Sequence, residues 1–412
     1  MRLRRLTDSS ISDSLLRGAG PARPGARSSP CRPRWSRHSN LHQNTRAKRQ
    51  VRTIDVAPTS GRPGAPRLAA LDGLRLLAAF SVLAYHYTGI NRDYWGASPM
   101  VEFPSLHQLS RYGYLGVELF FIISGFVILM TAYDRTVQSF VASRVARLYP
   151  AYWVAILLTF ALQQFWHGGR EPTSMEALGN LTMVQSAFGL TDVQGAFWTL
   201  WVELRFYVLI GIFMLVGMNR QRLLAFAVIW PVLGQVAENN HASFVATVLM
   251  STYAPYFAVG IVLFLLSTDL LNLSCWLGLG FTWVLSVQQA TAYAERASAL
   301  TGAPVRPLVT AVAVTVMVLA VLACSHGPLS RIRWKWLTLA GALTYPLYLV
   351  HGQVGFFLIE TLQTHLQSYV VLAIATLTSF ALAFVIHRFV ERPAARPLRR
   401  AVDRSLENLT VR

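Results

Sequence analysis

This chain predicts an all-α, polytopic transmembrane bundle of about ten helices, and three observations carry that prediction. Hydrophobic residues make up 53% of the sequence and charged residues 14%, with a mean hydropathy of +0.40, far from the balance of a water-soluble domain. The apolar residues gather into runs of the roughly 17–25 residues that a bilayer requires of a helix. The basic residues between those runs alternate in density, fifteen Lys and Arg on one set of loops and tail against five on the other, as loops on the two sides of a membrane do.

Taken in order, residues 1–66 are a separate material. Fourteen Lys and Arg stand against three acids there, among many Ser, Pro and Gly, and no run could nucleate a core, so a disordered basic N-terminal tail is expected. No aromatic interleaving or folded module accompanies its charge, which argues against a nucleic-acid partner and for a tail resting on anionic lipid. The membrane domain is expected over 67–397, with spans near 71–89, 114–133, 149–165, 197–217, 222–237, 243–266, 272–290, 307–324, 338–359 and 369–387. A short cytoplasmic tail, 398–412, closes the chain. The charge bias places both termini inside; the loop around Asp269, which carries no Lys or Arg, is the weakest link in that topology. With no signal-peptide apolar region ahead of it, the first span is also the insertion signal.

The first span holds two residues that lipid does not tolerate cheaply. Arg75 and His86 lie eleven residues apart, which puts them within about 20° of one helix face and about 16 Å apart along the axis. Ionisable groups at such depth cost roughly 2.5–3.5 kcal/mol and usually face a polar interior. The three cysteines, Cys31, Cys275 and Cys324, have no paired spacing, and the ten histidines form no ligand pair, so neither a disulfide framework nor a metal site is expected. No phosphate loop, dinucleotide fingerprint or nucleophile elbow is present either.

Several blocks then define a family. Leu71-Asp-Gly-Leu-Arg75 with His86, Gly113-Tyr-Leu-Gly-Val-Glu-Leu-Phe-Phe-Ile-Ile-Ser-Gly-Phe126, Arg144-Val-Ala-Arg-Leu-Tyr-Pro150, Phe197-Trp-Thr-Leu-Trp-Val-Glu203, Leu343-Thr-Tyr-Pro-Leu-Tyr-Leu-Val-His351 and Val390-Glu-Arg-Pro393 occur in order. Together they resemble the successive signatures of the bacterial acyltransferase family 3. Leu76, where the family usually has Gly, and Glu118, where Asp is frequent, depart mildly. The resemblance implies an O-acyltransferase of the bacterial inner (cytoplasmic) membrane that moves an acyl group, commonly acetyl, from acyl-CoA to a hydroxyl of a carbohydrate or glycosylated small molecule. No permanently bound cofactor is implied; acyl-CoA is a substrate. Some relatives carry a further soluble catalytic domain after the last helix, whereas here the chemistry is expected to rest on the membrane domain.

Depth assigns the candidate roles. Arg75, Arg144 and Arg147 fall near the inner mouth and are the candidate CoA-phosphate ligands, since guanidinium binds phosphate oxygens bidentately; the alternative for Arg144 and Arg147 is a positive-inside anchor. His86, toward the outer end, is the candidate general base. Glu118, closest to it by depth, is the candidate carboxylate to orient the imidazole, and Glu203 is expected to share that task or to hold the sugar. Tyr85, Trp198, Tyr345 and His351 are expected to support the acceptor or the packing, and the loop from Trp166 to Gly195 to cover the acceptor. A transporter of an acyl group or glycan, and a non-catalytic partner subunit on the same fold, are the competing readings; the two halves show none of the duplication that transporters often carry.

Overall fold

The computed structural model describes residues 68–410 apart from Asp134 and Arg170, and the predicted tail 1–66 lies outside the described residues. The described residues are helical, with no strand among them. The long helices are α1 (Ala69–Ala84), α2 (Leu115–Ala132), α3 (Val137–Gln163), α4 (Trp198–Val216), α5 (Arg220–Asn239), α6 (Ala254–Thr268), α7 (Leu273–Ala292), α8 (Pro307–His326), α9 (Lys335–Leu362), α10 (Ser368–Ile386) and α11 (Arg392–Thr410). Each predicted span overlaps one of the first ten. Among the described residues seven helical segments are long and apolar enough to cross a membrane, as in a multi-pass membrane protein. That measure, taken by length and composition alone, leaves out three of the ten helices on which the predicted spans fall. Its exceptions, α1, α5 and α7, are the helices that carry Asp72 and Arg75, Arg222 and Glu238, and Gln288 and Gln289.

Two further differences come from backbone geometry. The run 243–266 is not one helix: Ser243–Leu249 ends at Met250 with φ of 53°, and α6 starts afresh at Ala254. The closing segment 398–412 is, as far as Thr410, the continuation of α11, a helix that packs along α3 and that the sequence reading did not specify.

At the centre, α1 packs between α9 and α2, and α2 packs on α6. In lipid no hydrophobic drive holds helices together, so close backbone approach matters. Gly125 of α2 and Gly260 of α6 supply it, each with its Cα against the facing backbone; a Cβ on Gly125 would collide with the Phe257 carbonyl, and one on Gly260 with that of Ile122. Arg220 at the start of α5 donates to Asp269 Oδ2 at 2.6 Å, so the loops before α5 and after α6 meet at one end of the bundle. That hydrogen bond holds the Asp269 carboxyl below its ordinary range.

Candidate active site

Three cavities succeed one another along the bundle, and three helices give their order. On α1 the first is lined by Leu71, Asp72 and Arg75, the second by Arg75, and the third by Val82, Tyr85 and His86. α2 contributes Val127 and Thr131, then Phe120 and Ser124, then Glu118 with Tyr114 just before its start; α9 contributes Thr338 and Gly341, then Thr344, then His351 and Gln353. The first, an arginine cavity, has a volume of about 550 Å³. A neck of about 80 Å³ follows, and then a histidine cavity of about 510 Å³. Arg75, Arg147 and Tyr345 border both the arginine cavity and the neck, while Val117 and Tyr348 border both the neck and the histidine cavity.

In the histidine cavity the bonding pattern fixes the tautomers. His351, on α9 and 1% exposed, places Nδ1 at 3.1 Å from the Leu347 carbonyl and 2.9 Å from that of Tyr348. Carbonyls only accept, so this nitrogen carries the proton and Nε2 of the neutral ring is an acceptor. His86 Nδ1 lies 2.9 Å from that Nε2 and must donate to it. The proton of neutral His86 is thereby spent, and its Nε2 keeps a lone pair. Tyr87 secures the arrangement by donating to the His351 carbonyl at 2.7 Å, while its own carbonyl accepts from Trp95 Nε1 at 2.8 Å. A single π-helical turn, Tyr85–Gly89, prolongs α1 here; turns of this kind recur at functional sites. It carries both His86 and Tyr87.

The predicted residues are thus distributed differently from the depth argument. His86, Glu118, Tyr85, Trp198 and His351 do meet in the histidine cavity. The partner of the His86 ring is His351, however, and not Glu118, whose Oε2 has no hydrogen-bond partner among the described residues. Glu203 lies in the neck, where its Oε1 accepts from Ser124 Oγ at 3.1 Å and Tyr207 Oη at 2.6 Å. Tyr345 borders the neck and donates to the Leu148 carbonyl at 3.0 Å, away from the histidines. The Trp166–Gly195 loop does wall the histidine cavity, through Gly169, Gln194 and Gly195.

The arginine cavity contains Arg75, Arg144 and Arg147 as expected, together with Arg135 and three arginines of α11, Arg392, Arg396 and Arg399. Two carboxylates also line it. Asp72 pairs with Arg75 at 3.3 Å and Glu391 with His387 at 2.7 Å, and among the described residues neither Arg144 nor Arg147 has a carboxylate within ion-pair distance. Arg144 places its Cζ over the Phe140 and Tyr207 rings, 5.7 and 5.8 Å from their centroids, a cation–π contact with each. Pro150 in α3 and Pro346 in α9 each remove the N–H that would bond the carbonyl four residues back. Those carbonyls belong to Ala146 and Ala342, which line this cavity. The sequence assigns the α11 arginines to topology, and Arg392 to a family block, but no site role, although their i, i+4, i+7 spacing marks one helical face.

A membrane helix bundle with an intramembrane imidazole pair in one cavity and an arginine cluster in another, joined by a neck, is the class that fold and site define. The family model described as an acyltransferase domain matches residues 68–388, and the chain belongs to that family, acyltransferase family 3. Over 167 residues it is 26% identical to the peptidoglycan O-acetyltransferase OatA of Listeria monocytogenes, covering 36% of this chain and 24% of that protein. Over 97 residues it is 36% identical to the acyltransferase MdmB of Streptomyces mycarofaciens, covering 23% of this chain and 24% of the relative. These matches span about a quarter of the length of the curated relatives. No solved structure matches significantly.

Proposed function

We propose that the protein is an O-acyltransferase of the bacterial inner membrane that moves an acyl group, acetyl in the simplest case, from acyl-CoA to a hydroxyl of a carbohydrate or glycosylated small molecule. The observation that carries the reading is the His86–His351 pair, because it presents His86 Nε2 as an unprotonated base in a cavity large enough for a sugar. Both termini then face the cytoplasm, the side with the denser basic loops, and the arginine cavity opens toward soluble CoA.

The chemistry runs between the two cavities. CoA phosphates bind Arg75, Arg144 and Arg147, and the pantetheine arm reaches through the neck, since Arg75 and His86 are about 16 Å apart along a helix axis. The acceptor hydroxyl gives its proton to His86 Nε2 as its oxygen attacks the thioester carbonyl. Collapse of the tetrahedral intermediate breaks the carbon–sulfur bond, and the imidazolium returns the proton to the leaving thiolate. His351 is a positioning residue that holds the imidazole in the tautomer the step needs. Glu203, in the neck, steadies Tyr207 and through it the ring on which Arg144 rests. The deciding experiment is transfer of label from acetyl-CoA to a glycan or glycosylated metabolite, with His86→Ala as the comparison; folded protein that transfers equally well without His86 would contradict the reading.

A further inference from the structure

Two amide side chains in the histidine cavity carry polar atoms that nothing among the described residues satisfies. Gln194 is 2% exposed and Gln353 6%; among the described residues neither Oε1 nor Nε2 of Gln194 has a partner, nor has Oε1 of Gln353. Both side chains line the cavity that holds His86. Buried polar atoms are nearly always paired, so these three, together with the unpaired Glu118 Oε2 and Tyr114 Oη of the same lining, point to a ligand.

The surroundings of both amides are built. Asn180, fully buried, accepts from the Val193 N–H at 3.1 Å and donates to the Thr191 carbonyl at 2.8 Å, which holds the backbone leading to Gln194. The Gln194 amide lies beside Gly352, where a Cβ would stand 2.6 Å from Nε2, and Gln353 Oε1 lies beside Gly169, where a Cβ would stand 2.7 Å away. Glycine at those two positions gives each amide its space. Gln353 follows His351 by two residues on α9, so the open amide and the imidazole pair share one rigid helix.

Chemistry narrows the ligand. A primary amide with both functions open offers a donor and an acceptor in one plane, and two adjacent ring hydroxyls meet such a pair. Among the described residues the lining has one arginine, Arg92, whose guanidinium rests over the Phe356 ring at 5.4 Å, and one carboxylate, Glu118. That lining suits a neutral polyol better than a phosphate or an acidic sugar. Trp198 and Tyr253, 5.1 Å apart, add aromatic faces for the apolar side of a pyranose.

We infer that Gln194 and Gln353 form a hydroxyl-reading subsite, which binds a vicinal diol of a neutral pyranose and turns a ring hydroxyl toward His86. The last clause rests on the acyl-transfer reading; the subsite itself does not.

The test uses the full chain purified in detergent, with methyl glucopyranoside, methyl N-acetylglucosaminide and their single-deoxy derivatives as probes. Binding is read by intrinsic fluorescence, to which Trp198 in the cavity contributes, and transfer by label from acetyl-CoA. Gln194→Leu and Gln353→Leu are each expected to weaken binding of a recognised pyranose about tenfold or more, roughly the loss of one buried hydrogen bond, with acetyl-CoA binding unchanged. One deoxy probe should bind the intact protein as weakly as its parent binds Gln194→Leu. Gln194→Glu, nearly isosteric, guards against a folding defect, and it too should weaken the diol. Unaltered affinity in the variants, equal loss for every deoxy probe, or no probe whose binding depends on either glutamine would overturn the subsite. Glutamine-dependent binding without transfer of label would leave the subsite standing and count against the acyl-transfer reading instead.

Discussion

The arginine cavity and the histidine cavity are nearly equal in volume, about 550 and 510 Å³, and are lined by the same three helices, yet their chemistry is opposite. Among the described residues one gathers seven arginines against two carboxylates, both already paired. The other has, among the described residues, one arginine, one carboxylate and a neutral imidazole pair set among aromatic rings and unpaired amides. The first is suited to a ligand whose charge is large and whose shape matters less; the second to a neutral ligand read hydroxyl by hydroxyl. Between them lies the smaller neck, of about 80 Å³. On the proposed reading, donor and acceptor do not compete for one site: each approaches from its own end and the two meet at His86.

The comparison breaks if substitutions at the two ends have the same effect. The largest change is expected from His86→Ala, which should lower turnover about 10²- to 10⁴-fold, the usual scale for a lost general base, without loss of folded protein. His351→Leu should cost about 10- to 100-fold in kcat, as removal of a residue that orients a functional imidazole commonly does. His351→Gln, whose Oε1 can accept from His86 Nδ1, should recover much of that loss; equal loss in both would reduce His351 to packing. At the other end, replacing Arg144 and Arg147 together by Gln should raise the KM for acetyl-CoA roughly tenfold or more, the worth of a charge-assisted hydrogen bond, and leave the acceptor KM in place. A matching rise in both constants would mark those arginines as membrane anchors. The smallest effect is expected from Arg396→Gln with Arg399→Gln: a few-fold rise in donor KM that shrinks as salt is added, since charges at a cavity mouth are screened.

How much of this was legible follows from what the bilayer enforces. Backbone groups in lipid must be bonded within a helix, so each long apolar run had one available structure, and the predicted spans fall on long helices. Arg75 and His86 were visible for the same reason: charge in a span is costly enough to require a purpose. Pairing was not visible. His86 and His351 are 265 residues apart, and depth alone favoured Glu118, which shares the cavity but not the hydrogen bond. Glu203 was placed too near the histidines because an estimate of depth along a helix does not say which neighbouring helix the side chain meets; Ser124 and Tyr207 decide that. Gln194 and Gln353 carry no charge and left no mark in the pattern. The arginines of α11 did leave one, in their spacing, but a basic stretch after the last span reads as a topology signal before it reads as a site.

The central claim is that His86 acts as a base between a CoA thioester and a sugar hydroxyl. Its most direct test is transfer of labelled acetyl from acetyl-CoA in membranes containing either the intact protein or His86→Ala, supplied with candidate glycans and glycosylated metabolites. Label in a glycosylated product with the intact protein, reduced at least about a hundredfold by the substitution, is the predicted result. Equal labelling by both, in protein shown to be folded, would contradict it.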